Sequence, residues 1–239
     1  DPSLPDASAA LSRLPGASRE ARTVAGFGDP SILRLGADAS ETVLRENLPG
    51  DLGVIHLATH AIVDESSVTD TYLLLAPGTE DDGFVNPGEI ARMSFPSSLV
   101  VLSGCRTAGG AVVRGEGVQG LTAPFLQAGA RAVVATQWPV EDQAGLRLVR
   151  EFYGALAQGH DVGQAMQQAK LAAMGRGEPP SVWAAFAVVG DPSVRIPAVE
   201  PTWWYATRST FAGVHPAVLL VILGVLGWVV ARFFRRGSR

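Results

Sequence analysis

The stretch that decides the fold is VVLSGCRTAGG, Val100 to Gly110. With Ser98 and Leu99 ahead of it, the run SLVVLS is apolar and β-branched without alternation. That pattern predicts a strand buried on both faces. Gly104 lets the backbone turn sharply, and Gly109 and Gly110 leave the chain free beyond it. Between them sits Cys105, the chain's single cysteine. A thiol at the point where a core strand becomes a loop is either packed filler or a nucleophile, and its neighbours must decide which.

Working outward, the same apolar signature recurs. VIHLATH, Val54 to His60, predicts another buried strand, and so does RAVVATQW, Arg131 to Trp138. TYLLLAP, Thr71 to Pro77, and SVWAAFAVVGDP, Ser181 to Pro192, each carry a strand, and Ser31 to Leu35 is a short strand candidate. Helical patterns lie between them. Ala17–Ala25 has Ser18 as a candidate N-cap. SETVLRENL opens at Ser40 and closes at Pro49-Gly50. NPGEIARM is a short helix. Val118–Ala128, Glu141–Gln158 and Val162–Met174 follow, the last two separated by Gly159. Strand and helix in alternation predict an α/β fold, a mostly parallel central sheet with helices on both faces.

Composition bounds the function. The chain has 239 residues, 47 % of them hydrophobic, which suits one sizeable domain with a full core, or one domain plus an appendage. A net charge of −4 and the lack of a basic stripe with interleaved aromatics give no case for nucleic acid. One cysteine excludes an intrachain disulfide framework and multi-cysteine zinc sites. No signal peptide is visible at Asp1.

The character changes after Pro197. Residues 198–210 read as a linker with an aromatic cluster, Trp203, Trp204 and Tyr205. Residues 211–234 predict a single membrane-spanning helix, since no charge interrupts Pro216 to Ala231 and the run reaches the roughly 20 residues a bilayer needs. Residues 235–239 form a basic tail. The aromatics on one side and Arg232, Arg235, Arg236 and Arg239 on the other resemble interface anchors. Their arginine excess predicts a cytoplasmic C-terminus with the domain on the far side, an orientation that would require an upstream export signal.

The chemistry is sought where open parallel sheets place it, at the carboxyl ends of the strands. VIHLATH ends at His60, and SLVVLSGC runs out at Cys105. If the two strands are neighbours, about 4.8 Å apart, an imidazole and a thiol face one another across one crevice. Nucleophilic cysteine catalysis needs that pair: the base lowers the thiol pKa and later protonates the leaving group. The N–H groups of Cys105 and Ala61 are candidate oxyanion donors. Arg106 adds positive charge beside the thiolate. The glycine-rich loop Ala108–Glu116 is read as movable and substrate-admitting, with Glu116 at its end. Trp138 and Asp142, after RAVVATQW, are candidate substrate contacts. The alternative for that segment is that Glu141 or Asp142 caps the next helix.

Two motifs are set aside. His56 and His60 have H-x-x-x-H spacing, but the run is strand-like and lacks the glutamate of H-E-x-x-H, so His56 is read as packed or supporting, on the same sheet face as His60, and no metal is expected. GEGVQG, Gly115–Gly120, matches G-x-G-x-x-G but begins about a dozen residues after the preceding strand, too far for a dinucleotide turn.

VIHLATHA, VVLSGCRTA, RGEGVQGL, FLQAGARAVVATQWPVED and WAAFAVVGDP together, in this order and spacing, resemble the CHAT domain family over roughly Leu14 to Pro192. These are caspase-like proteins, often joined to tetratricopeptide repeats, in the wider clan of caspases, separases and gingipain-like peptidases. The resemblance implies a caspase-hemoglobinase-like three-layer sandwich spanning residues 1–197, with one strand upstream of Asp1. It implies a Cys–His dyad on Cys105 and His60, peptide hydrolysis through a thioester, no cofactor, and a regulatory repeat region or partner. The family usually carries glycine after the histidine. Here Ala61 stands there, a residue that keeps the N–H but resists positive φ. The leading reading is therefore a membrane-anchored cysteine endopeptidase acting on protein or peptide substrate, held to the lipid bilayer by its C-terminal helix. The alternatives are a non-catalytic caspase-like scaffold or signalling module, and a cysteine-dependent transferase or amidase on the same fold.

Overall fold

A computed structural model describes residues 15–28, 31–46, 53–62, 71–78, 81–95, 99–103 and 119–196. Cys105, Arg106, Glu116 and the segments 198–210, 211–234 and 235–239 lie outside the described residues. Among the described residues no helix is long and apolar enough to cross a membrane.

The described elements, in chain order, are α1 (Pro15–Ala25), a 3₁₀ turn (Gly36–Asp38), α2 (Glu41–Glu46), β1 (Val54–Ala58), β2 (Ala61–Ile62), β3 (Tyr72–Leu74) and β4 (Phe84–Val85). Then come α3 (Pro87–Arg92), β5 (Leu99–Ser103), α4 (Gln119–Gln127), β6 (Ala132–Thr136), α5 (Asp142–Ala157), α6 (Val162–Gly175), α7 (Pro180–Trp183) and β7 (Phe186–Gly190). The central sheet has the order β1-β5-β6-β7. β1 runs parallel to β5 and β5 to β6, whereas β7 is antiparallel to β6. The chain is thus a mixed α/β protein whose sheet is mainly parallel.

The two innermost strands, β5 and β6, are buried at every position. Period-2 alternation sends their side chains into separate cores. Leu99, Val101, Ala132 and Val134 join Leu148, Phe152 and Tyr153 of α5 and Ala165 and Ala169 of α6. Val100, Leu102, Val133 and Ala135 join Leu121 and Phe125 of α4, Ile90 of α3 and Leu44 of α2 on the other face. This is why SLVVLS shows no alternation in sequence: both of its faces meet apolar layers.

Local chemistry sets several boundaries. Asn86 and Glu89 close a reciprocal capping box on α3, with Pro87 just inside the helix. Asp161 and Gln164 do the same for α6. Glu141 caps α5, its carboxylate accepting the Gln143 and Ala144 N–H groups at 3.0 and 2.8 Å. Those bonds hold its pKa below the usual carboxylate value.

Three local expectations change. Ser18 is not an N-cap, because α1 begins three residues earlier, at Pro15. Ser31–Leu35 forms no strand and runs as irregular chain into the 3₁₀ turn. Ile32, a residue that a core strand would bury, is 55 % exposed. The strand in Thr71–Pro77 belongs to a separate three-stranded antiparallel sheet, order β2-β3-β4. That small sheet contributes Ala61, Leu73 and Val85 to the same core as α2, α3 and α4.

Candidate functional site

The site is built where β1 passes from one sheet to the other. In the parallel ladder Val54 pairs with Leu99, and the last rung pairs Ala58 with Ser103. The Thr59 N–H then donates to the Ser103 carbonyl at 3.3 Å. His60 follows, and Ala61 opens β2 in the small sheet. His60 thus stands two residues beyond a rung whose other member, Ser103, stands two residues before Cys105. Two residues reach at most about 7 Å.

The small sheet holds this joint from its other side. The Thr59 hydroxyl donates to the Leu74 carbonyl, and the Leu74 N–H donates to the His60 carbonyl at 2.9 Å. The second bond makes His60 and Leu74 a hydrogen-bonded pair, so the next pair, Ala61 with Leu73, is the non-hydrogen-bonded kind. The Ala61 N–H therefore lies on the side of β2 away from β3. Ala61 itself is fully buried and sits in strand conformation. An alanine adopts that backbone without strain, so replacing glycine here carries no positive-φ penalty.

His56 is on β1, on the face covered by α1 and α5. Its Nε2 lies 2.9 Å from the Glu20 carboxylate and its Nδ1 3.1 Å from the Tyr153 hydroxyl. The carboxylate only accepts, so Nε2 carries a proton; in the neutral ring Nδ1 accepts the Tyr153 O–H. Burial, then the Glu20 charge, pushes the Tyr153 phenol well above its ordinary value. This network fastens the strand that leads to His60 onto both helices. β1 ends at Ala58, so strand alternation does not extend from His56 to His60.

The other two described candidates follow β6. The Trp138 indole packs against the α5–α6 core and its N–H donates to the Ser181 carbonyl at 2.8 Å. Asp142 is the first residue of α5, and its carboxylate lies over Gly16 in the first turn of α1, 2.6 Å from where a Cβ would sit. The capping role belongs to Glu141, not Asp142.

At the far end of the small sheet, the buried Glu41 accepts the Gly83 N–H at 3.2 Å and pairs with Arg45. Arg45 also meets Asp81 at 2.9 Å, tying α2 to the β3–β4 turn. Burial, then the negative charges of Asp81 and Glu89, raises the Glu41 pKa. Among the described residues no group of three or more His, Cys, Asp or Glu side chains is placed to hold a metal ion.

Sequence reading passed over Thr59, Glu20 and Tyr153. Thr59 lay in plain view just before two candidate residues, His60 and Ala61, in LATHA, but its role needs Leu74 in space. Glu20 and Tyr153 are 36 and 97 residues from His56, and no local pattern connects them.

The family model for the CHAT domain matches residues 1–191. Two curated proteins are similar over 105 residues: tetratricopeptide repeat protein 28 of Homo sapiens, 33 % identical, and that of Mus musculus, 36 % identical. In each case the match takes in 43 % of this chain and 4 % of the relative's length.

Proposed function

The chain belongs to the CHAT domain family, and on that premise we propose that it is a cysteine endopeptidase working through a His60–Cys105 dyad. His60 takes the Cys105 proton, and the thiolate attacks the scissile carbonyl. The Ala61 and Cys105 N–H groups receive the developing oxyanion. His60 returns its proton to the leaving amine, then activates the water that hydrolyses the thioester. Arg106, Glu116, Trp138 and Asp142 are the proposed substrate contacts around this centre, and the chemistry uses no cofactor.

The observation that supports this reading is the register of β1 on β5, Ala58 opposite Ser103. It brings the ends of β1 and β5 level with each other, and in the sequence His60 and Cys105 each follow two residues after those ends. The test is a thiol-reactive peptide probe on the full chain. Labelling lost in both Cys105→Ala and His60→Ala supports the peptidase. Wild type that neither labels nor cleaves a peptide library in its full-length context leaves the scaffold reading. Transfer of the acyl group to an added amine, instead of hydrolysis, identifies a transferase.

The proposal extends to context. The domain of residues 1–197 is joined by the linker 198–210 to a membrane anchor at 211–234, with the arginines of 232–239 on the cytoplasmic side. Deleting residues 211–239 then moves the protein from membrane to soluble fraction, and equal partitioning of both forms defeats the anchor. The two mammalian relatives named for tetratricopeptide repeats support a repeat-bearing region or partner as regulator.

A further inference from the structure

We infer that Thr59 is a positioning residue for the dyad: its side chain and amide together set where His60 stands relative to the strand that leads to Cys105. The inference rests on the proposed dyad and adds to it the device that holds the geometry.

Thr59 is the one residue between the end of β1 and His60. Its N–H is bonded to Ser103, the last residue of β5, at 3.3 Å. Its hydroxyl is bonded to the Leu74 carbonyl on β3. Leu74 in turn bonds the His60 carbonyl through its own N–H at 2.9 Å. A closed path therefore runs from Ser103 through Thr59 to Leu74 and back to His60. One side of the path belongs to the central sheet and the other to the small sheet.

The path matters because the two sheets are separate hydrogen-bonded systems. His60 lies in neither ladder's interior; it is the crossing point. Without the hydroxyl bond, the small sheet still holds His60 through its carbonyl bond to Leu74 and through the two pairs of β2 with β3, at Ala61 and Ile62. Those bonds tie His60 to the small sheet, and none of them reaches β5. The Thr59 hydroxyl adds a constraint one residue before the imidazole, and Thr59's amide references it to β5. A misplacement of about 1 Å is enough to cost a dyad much of its reactivity.

The readout is the chain's single thiol. The rate of iodoacetamide alkylation of the full chain against pH gives a midpoint that belongs to Cys105 alone. In the wild type an imidazole in place holds that midpoint below the ~8.5 of a free thiol, and His60→Ala returns it there. Thr59→Val and Thr59→Ala, which remove the hydroxyl with and without keeping the branched shape, raise the midpoint by about half to one pH unit. Labelling at pH 6.5 slows about three- to tenfold accordingly. Thr59→Ser restores the wild-type profile. Glu41→Gln, which loosens the small sheet at its far end, lowers the melting temperature without moving the midpoint.

The inference is overturned if Thr59→Val and Thr59→Ala keep the wild-type profile while His60→Ala shifts it, and the dyad then stands without the latch. It also fails if Thr59→Ser does not rescue, or if Glu41→Gln moves the midpoint as far as Thr59→Val does, since the effect is then general loosening. If His60→Ala leaves the midpoint unchanged, the dyad reading itself falls and takes the positioning role with it.

Discussion

Cutting the buried Glu20–His56–Tyr153 network should loosen the whole molecule, and by unequal amounts at its three members. The His56 and Glu20 side chains are 6 % and 9 % exposed, so water cannot replace a lost partner. Both groups give up water on burial, which offsets most of what their bond at 2.9 Å returns, so the intact network is close to neutral against an apolar replacement. Removing one partner is different. Glu20→Ala leaves the His56 Nε2–H buried without its acceptor, at a cost of about 3 kcal/mol, between the ~1–3 of an unsatisfied neutral group and the ~3–5 of an orphaned ion. His56→Ala strands the Glu20 carboxylate and costs about the same. Tyr153→Phe takes away one hydroxyl and costs about 1–2 kcal/mol. The double variant Glu20→Ala/His56→Ala removes both orphans and falls short of the sum of the singles by about 1–3 kcal/mol. Urea unfolding followed by far-UV circular dichroism, with the slope checked for constancy, measures all four. Additivity within about 0.5 kcal/mol would refute the reasoning, because two groups that do not share a bond add in that way.

Three further outcomes follow from single positions. Gly190 ends β7 at φ +97°, and a Cβ there would sit 2.5 Å from the Arg131 carbonyl; Gly190→Ala should cost about 2 kcal/mol or more and lower the melting temperature, and an unchanged melting curve contradicts the close approach. The Ser193 hydroxyl, then Arg131, lowers the Asp191 pKa from 3.8 to about 2. Its folded-state value is the depressed one, so its contribution is complete above pH 3.8 and is lost as pH falls toward about 2; a carboxyl-carbon NMR titration should place its midpoint near 2, and a midpoint at the ordinary value rejects the network. Ala61→Gly should cost about 0.5–1 kcal/mol and leave Cys105 labelling within about twofold of wild type, because the extended backbone of β2 needs no glycine; tenfold faster labelling would show that alanine does impair the site.

The inner strands of the central sheet were legible because burial on both faces writes itself as unbroken apolar runs. Leu99–Ser103 and Ala132–Thr136 fall inside runs picked out by that rule and are buried throughout, whereas β1, inside VIHLATH, is buried only at Ile55 and ends at Ala58, two residues short of His60. Long helices were equally plain, since α5 and α6 carry caps and one apolar stripe each. The small sheet was not legible. β2 and β4 are two residues long and β3 is three, too short for any period to show. Ser31–Leu35 looked like a strand for the opposite reason: propensity favoured one, and among the described residues no strand pairs with it.

By itself the sequence determined that an apolar strand leads to each of His60 and Cys105, because local apolar patterning marks where strands run. It also determined the family, through motifs in a fixed order. Tertiary structure decided the rest. The register of β1 on β5 matches Ala58 with Ser103, and register is a property of two strands together that neither strand encodes alone. Leu74 reaches Thr59 and His60 across a sheet pairing, and Glu20 and Tyr153 reach His56 across the core. Such contacts join residues far apart in the chain, so they exist only once the chain has closed on itself.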